Sequence, residues 1–551
     1  MKISTALFLV VMIPAVTLFA QGPRGGRPGA GRPGSGFPGG QPGGRPGAGF
    51  PGQPGGRPGT PNPPPERRLG GAVVIPAPGR PVEPRPGFRP GPGPAPVIVV
   101  PRTVEIVTPA EVVQPVVITT QPETTTTVEV KAEETAVEKA IPVKAGYYQL
   151  VLLEDTSEEA TPAICYKTNE DMKFTFSVNK LVGNPVEGKL FLKWKRSGDD
   201  GRTEEGRTEI EADKAVSIVT SLDRPGFVRI EASLEDEAGN DLKSTFIGGA
   251  GAEIEKLAQA VEEPADFDEF WAKQKKLLGD VAMIPEIRKI EAKQAGFDAY
   301  EVKVPCPGPR PVTGYLLIPS GAKAHSLPAK VHFQAYGVRD QSVPDGVEDT
   351  IYFDVNAHGI ELSKPKSYYD GIRAELGLYA YNNADNKTPD TSYFRYMAVR
   401  AVRAFDFIKT VVAWNGKDLG VIGYSQGGLQ AAWAAGLVPE ITHAEIGMPW
   451  CTDVGSEKAG RQRGTGPDYQ PGLDYFDPVN HIKRASATCL IDIVRAGLGD
   501  TVSQPSGSAV LFNNAVGPKR IVFYQNCAHE EPDELSAAII MRSEDWPEPA
   551  E

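Results

Sequence analysis

At 551 residues, with 58 Lys and Arg against 70 Asp and Glu for a net charge of −12, the chain is too long for one ordinary domain. Residues 21–100 hold ten Arg and two Glu but no Lys or Asp, so the rest is strongly acidic; that basic stretch lacks the interleaved aromatics of a base-stacking surface, which argues against a nucleic-acid partner. The cysteines Cys165, Cys306, Cys451, Cys489 and Cys527 are odd in number and form no Cys-x-x-Cys pair, which argues against zinc and leaves at least one thiol unpaired within the chain.

Met1-Lys2 followed by the apolar run Ala6 to Ala20 reads as a secretory signal peptide over residues 1–20, with an uncleaved membrane anchor as the alternative. On the first reading the protein is secreted, periplasmic or associated with the cell envelope. Residues 21–143 read as a disordered spacer, rich first in Gly, Pro and Arg and later in Thr, Val and Pro. Its glycine register breaks at Gly39-Gly40 and Gly43-Gly44, which excludes a collagen triple helix. A basic spacer suits attraction to an envelope surface.

Residues 144–250 have a period of two. Met172, Phe174, Phe176 and Val178 alternate with polar residues, as do Leu190, Leu192 and Trp194, and Val228, Ile230, Ala232 and Leu234. With a hairpin loop over Asp236–Asp241, this predicts an immunoglobulin-like β-sandwich.

Residues 255–551 begin with Asp266 and Glu269 at capping-box spacing ahead of Phe270 and Trp271, predicting an entry helix. Strand-like runs follow at Gly314–Ile318, Ala329–Gln334, Thr350–Val355, Leu419–Ile422, Ile441–Met448, Thr488–Val494 and Arg520–Tyr524. A helix is expected through Met397, Ala401, Phe405, Ile408 and Val412. Alternating strands and helices predict an α/β fold with a doubly wound, mostly parallel sheet, whose ligands bind beyond the carboxyl ends of the strands.

The chemistry centres on Val421-Ile422-Gly423-Tyr424-Ser425-Gln426-Gly427-Gly428, which reads as a strand, a tight turn and a helix start. In such an elbow the nucleophilic serine occupies a strained turn, and glycines let the strand and helix approach. A serine needs a base to take its proton and an acid to orient the base, in the chain order Ser, Asp, His. Asp500 follows one strand and His529 follows the next, so both fall on the edge where Ser425 emerges. Two N–H donors are needed for an oxyanion: Gln426 directly after the serine, and Tyr336 in the turn after Ala329–Gln334. Tyr336 and Trp450 are candidate walls of the acyl pocket, core packing being the alternative for Tyr336. His358 lies on the same edge, with substrate contact and a structural role both open. Cys527 reads as a buried small hydrophobe and Glu530 as a salt-bridging or helix-start residue. No metal or organic cofactor is required by this chemistry.

From about Pro264 onward the chain resembles the acetyl xylan esterase and cephalosporin-C deacetylase family of α/β-hydrolases. The resemblance is carried by Asp266-Phe267-Asp268-Glu269-Phe270-Trp271, Tyr396–Phe407, Gly423-Tyr424-Ser425-Gln426-Gly427-Gly428, Met448-Pro449-Trp450-Cys451-Thr452-Asp453, Gly497-Leu498-Gly499-Asp500-Thr501-Val502 and His529-Glu530. It implies an exported serine esterase acting on acetylated carbohydrate or small acetyl esters, with Ser425, Asp500 and His529 as its catalytic residues. Where the family usually has Arg-Gly-Gln, this chain has Asp354-Val355-Asn356-Ala357-His358-Gly359, a departure that bears on substrate range and oligomer contacts more than on the Ser-His-Asp set. The remaining alternatives are a peptidase or other acyl hydrolase on this scaffold, or a surface adhesion protein whose hydrolase fold is only structural. The oligomeric state stays open.

Overall fold

The computed structural model describes residues 102–105, 148–153, 161–181, 188–212, 214–533 and 535–547. The signal-peptide reading lies outside these residues, and so does the spacer reading except for β1 (Arg102–Glu105), which pairs antiparallel with the last strand of the large sheet. All of the described residues belong to one unit.

The period-two region forms β2 (Tyr148–Leu153), β3 (Met172–Lys180), β4 (Leu190–Gly198), β5 (Thr203–Ile210), β6 (Val216–Thr220), β7 (Gly226–Asp236) and β8 (Asp241–Ala252). They make two antiparallel sheets, ordered β2-β3-β6 and β5-β4-β7-β8. The alternating apolar residues share one core in which Met172, Phe176, Leu192, Val228, Ile230 and Leu234 are fully or almost fully buried. Each sheet thus buries one face, as a two-period pattern requires.

The rest of the chain builds a sheet of β9 (Glu286–Ile290), β10 (Phe297–Val304), β11 (Val312–Pro319), β12 (Leu327–Phe333), β13 (Ile351–Val355), β14 (Trp414–Tyr424), β15 (His443–Gly447), β16 (Leu490–Gly497), β17 (Lys519–Tyr524) and β18 (Ala538–Ser543). With β1 the order is β1-β18-β17-β16-β15-β14-β12-β13-β11-β10-β9. The run β13-β12-β14-β15-β16-β17 is parallel, whereas β9 to β11 and β18 with β1 add antiparallel edges. The sheet is therefore mixed, which corrects the expectation of a mostly parallel one. Strands β9 to β11 are joined by short hairpins, which can only pair antiparallel, whereas a parallel step needs a crossover.

The helices are α1 (Phe267–Gly279), α2 (Lys366–Leu376), α3 (Phe394–Ile408), α4 (Gln426–Leu437), α5 (Pro478–Ile482) and α6 (Pro505–Asn514). Helix α1 buries Phe267, Phe270, Trp271 and Leu278 at helical spacing. Its expected capping box does not form: Asp266 makes no side-chain cap, and its carboxylate accepts instead from the Tyr475 hydroxyl. Helix α4 is almost entirely buried, its polar side chains Gln426 and Gln430 included. Strand β12 has β13 on one side and β14 on the other, so the winding reverses there and opens a crevice at their carboxyl ends.

The two-sheet region is fused to the large sheet through β8. The Gln525 side-chain amide accepts from the Gly249 N–H at 3.0 Å and donates to the Gly249 carbonyl at 2.5 Å. The Ile247 N–H donates to Asn526 Oδ1. A Cβ at Gly249 would collide with the Val228 carbonyl of β7 and crowd the Leu498 carbonyl, and one at Gly248 would collide with Gln525 Oε1, so these glycines let β8 lie between β7 and this loop. Phe227 packs on Phe523, and Asn513 donates to the carbonyls of Ile254 and Leu257.

Candidate active site

Ser425 ends β14 and precedes α4, with φ 57° and ψ −119°. A non-glycine residue held in such a region costs about 1–3 kcal/mol, and the surroundings must over-determine it. Its N–H donates to the Gly447 carbonyl at 2.9 Å, and its carbonyl accepts from Leu429 and Trp450. A Cβ on Gly423 would collide with the Gly427 carbonyl, one on Gly427 with the Phe333 carbonyl, and one on Gly428 would press on the Gly447 carbonyl. The close strand-helix approach expected from the motif is present.

Asp500 and His529 follow β16 and β17 and converge on this turn. His529 Nε2 lies 2.9 Å from Ser425 Oγ, and His529 Nδ1 lies 2.8 Å from Asp500 Oδ2. Asp500 is fully buried, and its other oxygen accepts the N–H groups of Val502 at 2.7 Å and Ser503 at 2.9 Å. Those donors satisfy the carboxylate away from water and fix its orientation. An Nδ1–H donated to Asp500 leaves Nε2 as the acceptor facing the serine hydroxyl, the arrangement of a general base.

Gln426 begins α4 and Tyr336 lies in the turn after β12. Neither backbone N–H is engaged by a carbonyl among the described residues. The two loops are tied together by a residue that the sequence motifs do not mark. The Tyr379 hydroxyl donates to Gln426 Oε1 at 2.5 Å and accepts from the Gly337 N–H at 3.4 Å. Burial and the neighbouring Tyr336 push its phenol well above the ordinary range, so it stays protonated and able to donate. The one signal in the sequence is the pair Tyr379-Ala380-Tyr381 in an otherwise polar loop.

Tyr336 is 38% exposed; it stacks on Tyr379 at 5.0 Å and meets the Trp450 ring edge-on at 5.4 Å. Trp450 is buried behind it and held by an indole N–H bond to the Thr465 carbonyl. Trp450 belongs to a strained loop in which Met448, Cys451 and Asp453 all have positive φ. His358 does not line this surface, which corrects its candidacy as a pocket residue. It is fully buried, edge-on to Tyr379 at 4.6 Å, with Nδ1 2.8 Å from the Tyr393 hydroxyl. Burial, then the charges of Arg400 and Arg310, push it down to about 3, so the imidazole is neutral. Asn356, whose side chain joins Gln334 Oε1 at 3.0 Å and the His358 N–H at 2.9 Å, folds that turn under the site.

None of the five cysteines is in a disulfide. Burial pushes the Cys527 thiol up to about 12, as suits an inert packing group. Glu530 is exposed, without an ion pair or a helix start among the described residues; Arg495 pairs with Glu531 instead.

Residues 251–455 match the family model "Acetyl xylan esterase (AXE1)", a span that includes Tyr336, Ser425 and Gln426 and stops before Asp500 and His529. The chain is 24% identical over 377 residues to the acetyl esterase Axe7A of Xylanibacter ruminicola, covering 64% of this chain and 82% of that one. Among solved structures it is similar to an acetyl xylan esterase from Paenibacillus sp. R4, with 20% identity, a TM-score of 0.44, and coverage of 51% of this chain and 94% of that one. It is also similar to acetyl xylan esterase 1 from Thermoanaerobacterium sp. JW/SL YS485, with 18% identity, a TM-score of 0.39, and coverage of 51% and 93%. By the family model, the likeness of this chain to the acetyl xylan esterases lies in residues 251–455.

Proposed function

We propose that the protein is an exported serine esterase that removes acetyl groups from carbohydrate through an acyl-enzyme. Ser425 Oγ attacks the ester carbonyl while His529 Nε2 takes its proton, and Asp500 holds the imidazolium that results. The backbone N–H groups of Gln426 and Tyr336 stabilise the oxyanion. His529 then passes the proton to the leaving sugar hydroxyl, and water, activated by the same imidazole, releases acetate from Ser425. The observation that carries this reading is the continuous line from Asp500 through His529 to Ser425, at 2.8 and 2.9 Å, on a strained elbow. The match of residues 251–455 to the acetyl xylan esterase family model supports acetylated carbohydrate as the substrate class. Tyr336 and Trp450 would close the acyl side, where each added methylene must overpack the wall. Export rests on the sequence of residues 1–20, and we read the two antiparallel sheets as an immunoglobulin-like sandwich preceding the esterase.

The test is a series of acetyl, propionyl, butyryl and octanoyl esters of one alcohol, run with an acetylated xylo-oligosaccharide and a peptide on wild type and Ser425→Ala. Acetyl should exceed butyryl at least about tenfold in kcat/KM, equivalent to about 1.4 kcal/mol. Ser425→Ala should lose turnover by several orders of magnitude while staying folded. Near-normal turnover in Ser425→Ala would end the serine mechanism. An octanoyl preference would point to a lipase-like enzyme, and peptide cleavage to a peptidase.

A further inference from the structure

The residues just before Tyr336 and Ser425 help to line a polar cavity of about 400 Å³. Its floor is the sheet: His332 on β12 and Asp354 on β13 are register partners, and Tyr424 closes β14. Its wall is the connection from β12 to β13, which contains no helix and contributes Ala335, Arg339 and Gln341. Ala335 directly precedes Tyr336 and Tyr424 directly precedes Ser425, so the lining is continuous in the chain with both candidate site loops.

Gln341 is 8% exposed, yet neither its amide oxygen nor its amide nitrogen has a partner among the described residues. Buried carboxamides are almost always bonded on both sides, and an orphaned one facing a cavity calls for a donor and an acceptor from outside the protein. His332 Nδ1 is 2.6 Å from Asp354 Oδ1, which orients the ring and leaves Nε2 unengaged by any described residue. Arg339 is exposed on the wall and has no ion pair among the described residues.

This set discriminates between ligand classes. A divalent cation would face the Arg339 guanidinium, and no group of three or more His, Cys, Asp or Glu able to hold one occurs among the described residues. A small anion would face Asp354 and Asp340. An apolar group would leave Gln341 stranded. A neutral molecule that offers both hydroxyl donors and hydroxyl acceptors satisfies every group, and the volume falls within the range of about 300–1,000 Å³ common for small-molecule sites. We infer that this cavity is a subsite for a sugar unit of the substrate chain next to the one that carries the ester. The identity of the occupant rests on the carbohydrate-esterase reading above; the existence of a polar-ligand site does not.

The experiment uses the full chain. Xylotetraose and cellotetraose, which carry no ester, are titrated calorimetrically into Ser425→Ala and into the same protein with Gln341→Leu or with Arg339→Ala. Arg339 is exposed, so its variant keeps the test open should Gln341→Leu fold poorly. At least one glycan should bind, and each added substitution should weaken it about tenfold. In the active protein, each substitution should raise KM for an acetylated xylo-oligosaccharide about tenfold relative to KM for 4-nitrophenyl acetate. No glycan binding, or unchanged binding and an unchanged KM ratio in both variants, overturns the subsite. If wild type deacetylates no carbohydrate while glycan binding still depends on Gln341, the functional reading falls and the subsite stands. If deacetylation is intact and both variants are silent, only the subsite falls.

Discussion

Tyr379 holds two loops with one hydroxyl, accepting from Gly337 beside one candidate oxyanion donor and donating to the side chain of the other, Gln426. Tyr379→Phe keeps the stacked ring and removes both bonds. Each is lost inside a buried site, so kcat for an acetyl ester should fall about tenfold, or about 1.4 kcal/mol, with little change in KM. Steady-state kinetics on one ester decide it; a kcat within twofold of wild type would show that the backbone alone sets both donors. Ser425 was legible because its requirement for Gly423, Gly427 and Gly428 is local, and Asp500 and His529 were legible because strand ends can be counted. Tyr379 was not, since its partner Gln426 lies 47 residues away in a different element and no periodicity links them. For His358 the sequence placed the residue on the correct edge but not its depth, because the Asn356 side chain turns the segment inward.

At the scale of elements, β8 lies on the two loops that carry Asp500 and His529. Gln525, four residues before His529, pairs with both polar groups of Gly249 in the manner of a strand partner. Gln525→Ala would leave that buried N–H and carbonyl unsatisfied, at about 1–3 kcal/mol for each group. It should lower both thermal stability and kcat on a small acetyl ester. Asn513→Ala removes two bonds of the same interface at Ile254 and Leu257, away from those loops, and should lower stability with kcat retained. Equal kcat in the two variants would deny β8 any role in positioning His529. The alternating strands of this region were plain from Met172, Phe174 and Phe176, which are all buried while Lys173 and Thr175 between them are not. Strand β9 was invisible for the opposite reason: Glu-Ile-Arg-Lys-Ile is almost wholly exposed and has no buried face to betray a period. With β9, β10 and β18 unread, the antiparallel edges were missed and the sheet looked more uniform than it is.

For the whole molecule, acid sensitivity follows from buried imidazoles. His358 and His481 are both fully buried, and burial is the main cause that pushes each down to about 3 from an ordinary 6.5. Between those limits the unfolded chain binds protons that the native state refuses, so stability present above pH 6.5 is lost as pH falls, at up to about 1.4 kcal/mol per unit for each residue. Asp474 and Asp477 act in the other sense. Burial raises them to about 6 and about 7, so the native state binds their protons first and gains as pH falls from 7 toward 4. A difference measurement isolates one residue: between pH 6.5 and pH 5.0, wild type should lose about 2 kcal/mol relative to His358→Gln in urea unfolding. Parallel pH curves for the two proteins would contradict a neutral buried His358.

The contact between β8 and the loops of Asp500 and His529 also constrains ancestry. Because Gly249 exchanges two hydrogen bonds with Gln525 as two strands of one sheet do, the front region and the hydrolase region cannot diverge as independent cargo. An exchange of gene segments between relatives with its joint near α1 would bring together halves that had drifted apart. The hybrid would inherit an unaltered serine elbow and a misplaced histidine. Lineages that carry the two regions should therefore inherit them together, with substitutions at Gly249 matched by substitutions at Gln525.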